Sequence, residues 1–186
     1  MSVQKTNKDR KPGLPLPRRG NEGEALQIRF HNSTAEVSRM TTEELRSNFL
    51  IESVMQADEL KLVYTHYDRM IIGGVMPVNK TIALPTYAPL KSKFFLERRE
   101  IGIINVGGDG EIKVNGKAFD LRKLDSLYVG KGSEKVSFKS KKKDNPAKFY
   151  LLSAPAHHTY ATKLMKKEKA SPTEMGSAVT ANHRII

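Results

Sequence analysis

The stretch K-F-F-L-E-R-R-E-I-G-I-I-N-V-G-G, Lys93 to Gly108, decides how the rest of the chain is read. Glu100 is followed by six residues and then Gly107, the rhythm of a β-barrel that holds a metal. In such a barrel two imidazoles, one residue apart on a strand, precede the glutamate and face the same interior. Here Phe94 and Leu96 stand in those two places, and neither can ligate. A second half of the pattern, Gly132 followed after two residues by Lys135, puts lysine where a third histidine belongs. An ammonium repels a cation, so the expectation is an interior filled by side chains, with Phe94 and Leu96 in the core and no ion.

Outward from this stretch, residues 49–153 carry short β-rich runs separated by turn residues, the pattern of an all-β sandwich or barrel. Strands are expected at 61–66, 70–76, 94–106, 111–114, 117–121, 126–129, 135–139 and 148–152. Asp109-Gly110 and Asn115-Gly116 read as tight hairpins that need positive backbone angles. Val136 and Phe138 alternate with Lys135, Ser137 and Lys139, giving one dry face and one wet face. The reading is an all-β, cupin-like jelly-roll barrel over residues 26–153, preceded by a short N-terminal helix. Thr41 stands three residues before Glu44, a reciprocal capping box that opens a helix running to about Arg46 or Asn48.

Residues 1–25, with K-P-G-L-P-L-P-R-R-G-N-E-G-E, hold too little apolar material to offset the entropy of ordering and read as a disordered basic arm. Residues 154–186 lose the β pattern and read as a linker. Apolar Ile185 and Ile186 look like the start of a strand that the chain does not complete. The net charge of +12 is unevenly placed: +3 in residues 1–25, +2 in 26–138, +7 in 139–169 and 0 in the last seventeen. Lys141-Lys142-Lys143 and Lys166-Lys167 lack interleaved aromatics that would stack bases, so solvated faces are favoured over a nucleic-acid interface. The absence of cysteine excludes disulfides, thiolate metal sites and thiol catalysis. No apolar run reaches the roughly 18 residues of a membrane span, and M-S-V-Q-K-T-N-K-D-R lacks the apolar stretch of a secretory signal. The expectation is a soluble, cytoplasmic protein without membrane contact.

Several residues invite a chemical reading. His66, in T-H-Y-D-R beside Asp68, has the type of a base, against the plainer reading of a hydrogen-bonded structural histidine. Glu97-Arg98-Arg99-Glu100 could grip an anionic substrate through an arginine fork, or form ion pairs within the protein. Adjacent His157 and His158 point to opposite faces if extended, which favours a surface pair over a shared ion. Gly107-Gly108-Asp109-Gly110 lacks the helix and the lysine-serine ending of a phosphate loop and reads as a hairpin.

Longer motifs go further: M-T-T-E-E-L-R-S-N-F-L-I-E, Y-T-H-Y-D-R-M-I-I-G-G-V-M-P, F-F-L-E-R-R-E-I-G-I-I-N-V-G-G, D-S-L-Y-V-G-K-G and P-A-K-F-Y-L-L-S-A-P-A-H-H-T-Y. In this order and spacing the chain, from about residue 26 to 186, resembles the N-terminal part of the 4-deoxy-L-threo-5-hexosulose-uronate ketol-isomerases. The resemblance implies a cytoplasmic enzyme of pectin and uronate breakdown, with two cupin-like halves and hexameric assembly. It would convert 4-deoxy-L-threo-5-hexosulose uronate into 3-deoxy-D-glycero-2,5-hexodiulosonate. It also implies zinc held by histidines and a glutamate of a second cupin, toward which residues 154–186 would lead. None of those ligands falls on this chain, so no cofactor is expected of these residues by themselves. The arm before Leu26 departs from the family's usual start. Moving a carbonyl along a sugar needs a base that forms an enediol, or a metal that polarises the carbonyl. No catalytic residue is assigned; His66, Glu97, Arg98, Arg99 and Lys131 are the expected contacts for an anionic, uronate-derived sugar acid. The alternative is a non-catalytic cupin scaffold for assembly or ligand binding.

Overall fold

The computed structural model describes residues 26–186, so the arm read at 1–25 lies outside the described residues. In chain order the elements are β1 (Gln27–Arg29), α1 (Thr34–Val37), α2 (Thr42–Phe49), β2 (Leu60–Thr65), β3 (Ile71–Val75), β4 (Ile82–Ala83), β5 (Arg99–Asn105), β6 (Gly110–Val114), β7 (Lys117–Leu121), β8 (Ser126–Val129), β9 (Val136–Ser140), β10 (Phe149–Pro155) and β11 (Lys163–Met165). A small hairpin, Glu174–Met175 with Arg184–Ile185, follows. Ile185 therefore completes a strand pair within the chain, contrary to the expectation from its apolar end.

The capping box of α2 forms as the sequence predicts: Glu44 N donates to Thr41 Oγ1 (3.2 Å) and Thr41 N to Glu44 Oε2 (2.7 Å). The same S-x-x-E spacing at Ser33 and Glu36 caps α1, which the sequence reading passed over. No described helix is long and apolar enough to cross a membrane.

A seven-stranded sheet in the order β1-β2-β3-β10-β5-β8-β11 faces a four-stranded sheet in the order β4-β9-β6-β7. Neighbouring strands are antiparallel, except that β1 runs parallel to β2. From β3 to β6, and again from β7 to β10, each connection crosses from one sheet to the other, the habit of a jelly roll. Among the described residues no ladder joins the two sheets at an edge, so the unit is a sandwich of facing sheets. Alternation fills the space between them. β5 turns Ile101 and Ile103 inward, β6 Ile112 and Val114, β9 Val136 and Phe138, β10 Phe149 and Leu151. Phe138 and Phe149, from opposite sheets, meet with ring centroids 5.6 Å apart.

Four expectations change. β5 begins at Arg99, not at 94, because Glu97 closes a local turn: its Oε2 accepts from Lys93 N (2.7 Å) and its N–H donates to Phe94 O (3.2 Å). Strand alternation therefore does not govern Phe94 and Leu96. Leu96 and Phe95 fill the core, while Phe94 is only half-buried. Lys135 is exposed just before β9 and faces no interior. Gly107 to Gly110 is not a hairpin, since β5 and β6 lie in different sheets and neither Asp109 nor Gly110 has a positive φ. Gly110 is small for another reason: a Cβ there would sit 2.5 Å from Phe149 Cζ. The Asn115-Gly116 turn between β6 and β7 does take left-handed angles, φ 48° and 87°.

The segment after Ala154 is more than a connector. β10 runs to Pro155, and β11 adds an edge to the larger sheet by pairing Lys163 with Tyr128 and Met165 with Ser126. Just beyond it, Lys166 Nζ meets Asp125 Oδ2 at 3.0 Å and Lys167 N donates to Oδ1 at 2.8 Å. Asp125 is 1% exposed and also accepts from Arg122 N. Burial by itself would raise its pKa, but the bonds from Lys167, Arg122 and Lys166 outweigh it and hold the carboxyl below its ordinary value. A depressed pKa contributes stability above the unfolded value of about 3.9 that is lost as pH falls through the folded value. Acidification below about pH 4 should therefore release this strap, read as faster amide exchange at Lys163 and Met165. Asp125→Asn should remove the acid step, and its persistence in that variant would refute the assignment.

Candidate functional site

The expected site residues separate into two groups. Glu97 and Arg98 line an open groove of about 580 Å³ with Thr86, Tyr87, Ala88, Lys91, Ser92 and Lys93. The turn closed by Glu97 builds it, and Lys91 turns the chain there in a left-handed conformation (φ 48°). Arg98 Nη2 donates to the carbonyls of Leu90 and Lys91, fixing the guanidinium against the wall. Thr86 Oγ1 and Ser92 Oγ are 3.0 Å apart. Among the described residues no carboxylate pairs with Lys91, Lys93 or Arg98. The one acid present, Glu97, spends an oxygen on a backbone N–H. The groove is thus a cationic surface with hydroxyls alongside, suited to a hydroxylated anion.

His66 and Arg99 come together elsewhere, at the end of the sandwich beyond β2. Tyr64 faces the interior from β2 and links them: the Arg99 guanidinium lies over its ring (5.8 Å), and the His66 ring meets it edge-on (5.2 Å). His66 also stacks on Phe30 at 4.6 Å. Arg99 is 7% exposed, and burial pulls its pKa down to about 10, with the Arg69 charge adding to the effect and Tyr64 opposing it. Its Nε donates to Ser153 Oγ (3.1 Å), and its Nη2 to Ser153 O (2.8 Å) and Arg69 O (2.6 Å).

Lys131 is half-buried between β8 and β9 and joins neither group by hydrogen bond or ion pair. His157 and His158 are exposed; His158 meets Tyr160 edge-on. Sequence reasoning missed Lys91, Lys93, Thr86 and Ser92, whose signal was the density of cations and hydroxyls just before β5. It also missed Tyr64 on β2 and Arg69 in the β2–β3 turn, which the fold brings to Arg99.

The ligand frame read from Glu100 does not assemble. Glu100 alternates outward from Arg99 and Ile101 and accepts the Tyr128 hydroxyl at 2.7 Å. Burial first and this bond second push the Tyr128 pKa up to about 12. Phe94, Leu96 and Lys135 supply no donor, and among the described residues no three His, Asp or Glu side chains converge.

The family model described as KduI/IolB matches residues 49–186. The chain belongs to the KduI/IolB family. It is 49% identical over 160 residues to a 4-deoxy-L-threo-5-hexosulose-uronate ketol-isomerase of Formosa agariphila, a match covering 86% of this chain and 57% of that protein. The enzyme of the same name from Halalkalibacterium halodurans is 46% identical over 161 residues, covering 87% and 58%. That of Escherichia coli O157:H7 is 44% identical over 163 residues, covering 87% and 59%. The chain thus spans somewhat over half the length of these curated relatives. Among solved structures, an IolB-like protein of Salmonella typhimurium LT2 aligns with a TM-score of 0.48 at 15% identity, over 62% of this chain and 42% of that one.

Proposed function

We propose that this KduI/IolB-family chain is the sugar-acid-binding part of a ketol-isomerase acting on 4-deoxy-L-threo-5-hexosulose uronate. The observation that carries the reading is the groove of Lys91, Lys93 and Arg98 beside two hydroxyl side chains, without an acidic partner for its cations. A uronate presents one carboxylate and several hydroxyls, the complement of that surface. The residues' part is recognition: the cations hold the carboxylate, and the hydroxyls of Thr86 and Ser92 orient the chain of hydroxyl groups. Proton transfer along the enediol is not assigned to these side chains, because no base stands in the groove free of a backbone bond. The ketol-isomerase activity for which the Formosa agariphila and Halalkalibacterium halodurans relatives are named supports the isomerase class.

Calorimetric titration with D-galacturonate, which presents the same carboxylate, tests the recognition step. Lys93→Met should weaken binding about tenfold, the effect of losing one charge-assisted bond worth about 1.4 kcal/mol, and D-galactose should not bind. Equal binding of the neutral sugar, or an unaltered affinity in Lys93→Met, would remove the groove from the mechanism. For the reaction, this chain would be mixed with a polypeptide matching the part of the Formosa agariphila relative that it does not cover. Failure of that mixture to consume the 5-keto-uronate, despite binding, would refute the isomerase assignment.

A further inference from the structure

We propose that the end of the sandwich at Arg99, Tyr64, His66, Arg69 and Phe30 is a separate binding site for a small ring-bearing carboxylate. Arg99 lies nine-tenths buried, yet no carboxylate among the described residues pairs with it. Taking a cation out of water without a counter-ion costs several kcal/mol unless other groups compensate. Compensation is incomplete here. Nε and Nη2 are bonded to Ser153 and to the Arg69 carbonyl, whereas among the described residues the N–H groups of Nη1 have no hydrogen-bond partner. Nη1 is not among the buried side-chain atoms that lack a partner, so it retains contact with solvent. A guanidinium anchored on two nitrogens with donors left on the third is prepared for an incoming anion.

The surroundings say which anion. Arg69, whose carbonyl accepts from Arg99 Nη2, adds a second cation on the same side, and its charge lowers the Arg99 pKa after burial. Asp68 and Arg69 both hold left-handed backbone angles, φ 51° and 53°. This conformation is costly for residues other than glycine and is commonly kept at binding sites. Here it presents the Arg69 carbonyl to Arg99. Beside the cation, the Tyr64, His66 and Phe30 rings follow one another as a stepped ledge, Tyr64 edge-on to His66 and His66 stacked on Phe30, which is 66% exposed. A cation at the head of this run of rings suits a carboxylate carried on a ring whose C–H edge packs on the ledge. Bare phosphate would use the charge and leave the ledge idle.

The site stands on other side chains than the groove and is tested apart from it. The imidazole NMR signals of His66, assigned against His66→Gln, would be followed in the full chain during titration with D-glucuronate, D-glucose and inorganic phosphate. D-glucuronate should shift them saturably, and the other two should not. Arg69→Ala, which keeps the backbone carbonyl, and Phe30→Ala, which removes an exposed ring, should each weaken the response about fivefold. Arg99→Lys, which loses the Nη1 donors, should abolish it. The groove variant Lys93→Met should leave it unchanged, so a failure of the groove and a failure of this site give different results. An absent response up to about 50 mM, an equal response to glucose or phosphate, or full binding by both Arg69→Ala and Phe30→Ala would overturn the proposal.

Discussion

Phe149→Ala should lower the unfolding free energy by about 4 kcal/mol. Phe149 is fully buried in β10 and meets Phe138 of the opposite sheet at 5.6 Å, so its ring is a direct tie between the two layers. Removing it loses the transfer free energy of the ring and the aromatic pairing, and opens a void that flanking strands cannot close. Gly110 offers no relief, because its lack of a side chain is matched to the ring's far end. Native domains hold about 5–15 kcal/mol in all, so the variant should approach the limit of folding. Urea midpoints at constant slope are the check, and Phe149→Leu should lose well under half as much. A loss below about 1 kcal/mol in Phe149→Ala would mean that the sheets do not depend on this contact.

Asn105→Asp should cost about 3 kcal/mol or more at pH 7, despite altering a single atom position. Asn105 is fully buried at the end of β5. Its Nδ2 donates to Gly108 O (2.7 Å) and Leu121 O (3.0 Å), and its Oδ1 accepts from Gly107 N (3.1 Å) and Lys148 N (3.2 Å). The replacement turns a double donor into an oxygen facing two carbonyl oxygens. As a carboxylate it is repelled by both; as a carboxylic acid it recovers one donor. The folded state therefore raises the pKa of the introduced carboxyl, and the sign follows: the penalty is smallest below the unfolded value of about 3.9 and grows as pH rises through the folded value. Stability measured at pH 4 and pH 7 should show the variant closer to wild type at the lower pH. A penalty that does not change with pH would refute the donor assignment.

The sequence showed what depends on local chemistry. Thr41 with Glu44 announced α2, Asn115-Gly116 announced the β6–β7 hairpin, and the wet and dry alternation around Val136 and Phe138 placed β9 correctly. What it hid depends on side-chain bonds across sequence. The Glu97 carboxylate captures Lys93 N and bends a run of residues whose types read as strand. Gly110 looks like a turn residue but is small to admit a ring thirty-nine positions away, from Phe149. The site was legible in part for the same reason. Charge type pointed to Glu97, Arg98 and Arg99, yet three consecutive residues sharing a motif were sent to two places: Arg98 lies against the groove wall while Arg99 goes into the interior. Only the partners contributed by Ser153 and Arg69 reveal that division.

The pairing of β11 with β8 has a consequence for anyone dividing this polypeptide. A cut placed at residue 154, where the composition changes, would strip Lys163 and Met165 from the sheet and leave Tyr128 and Ser126 on an open margin. Unpaired amides and carbonyls along such a margin recruit strands from other molecules. The removed piece would take Lys166 with it, leaving the Asp125 carboxylate without its cation. A self-contained unit therefore extends at least through Lys167, and the segment that composition marks as a tether is a seal on the sheet it leaves.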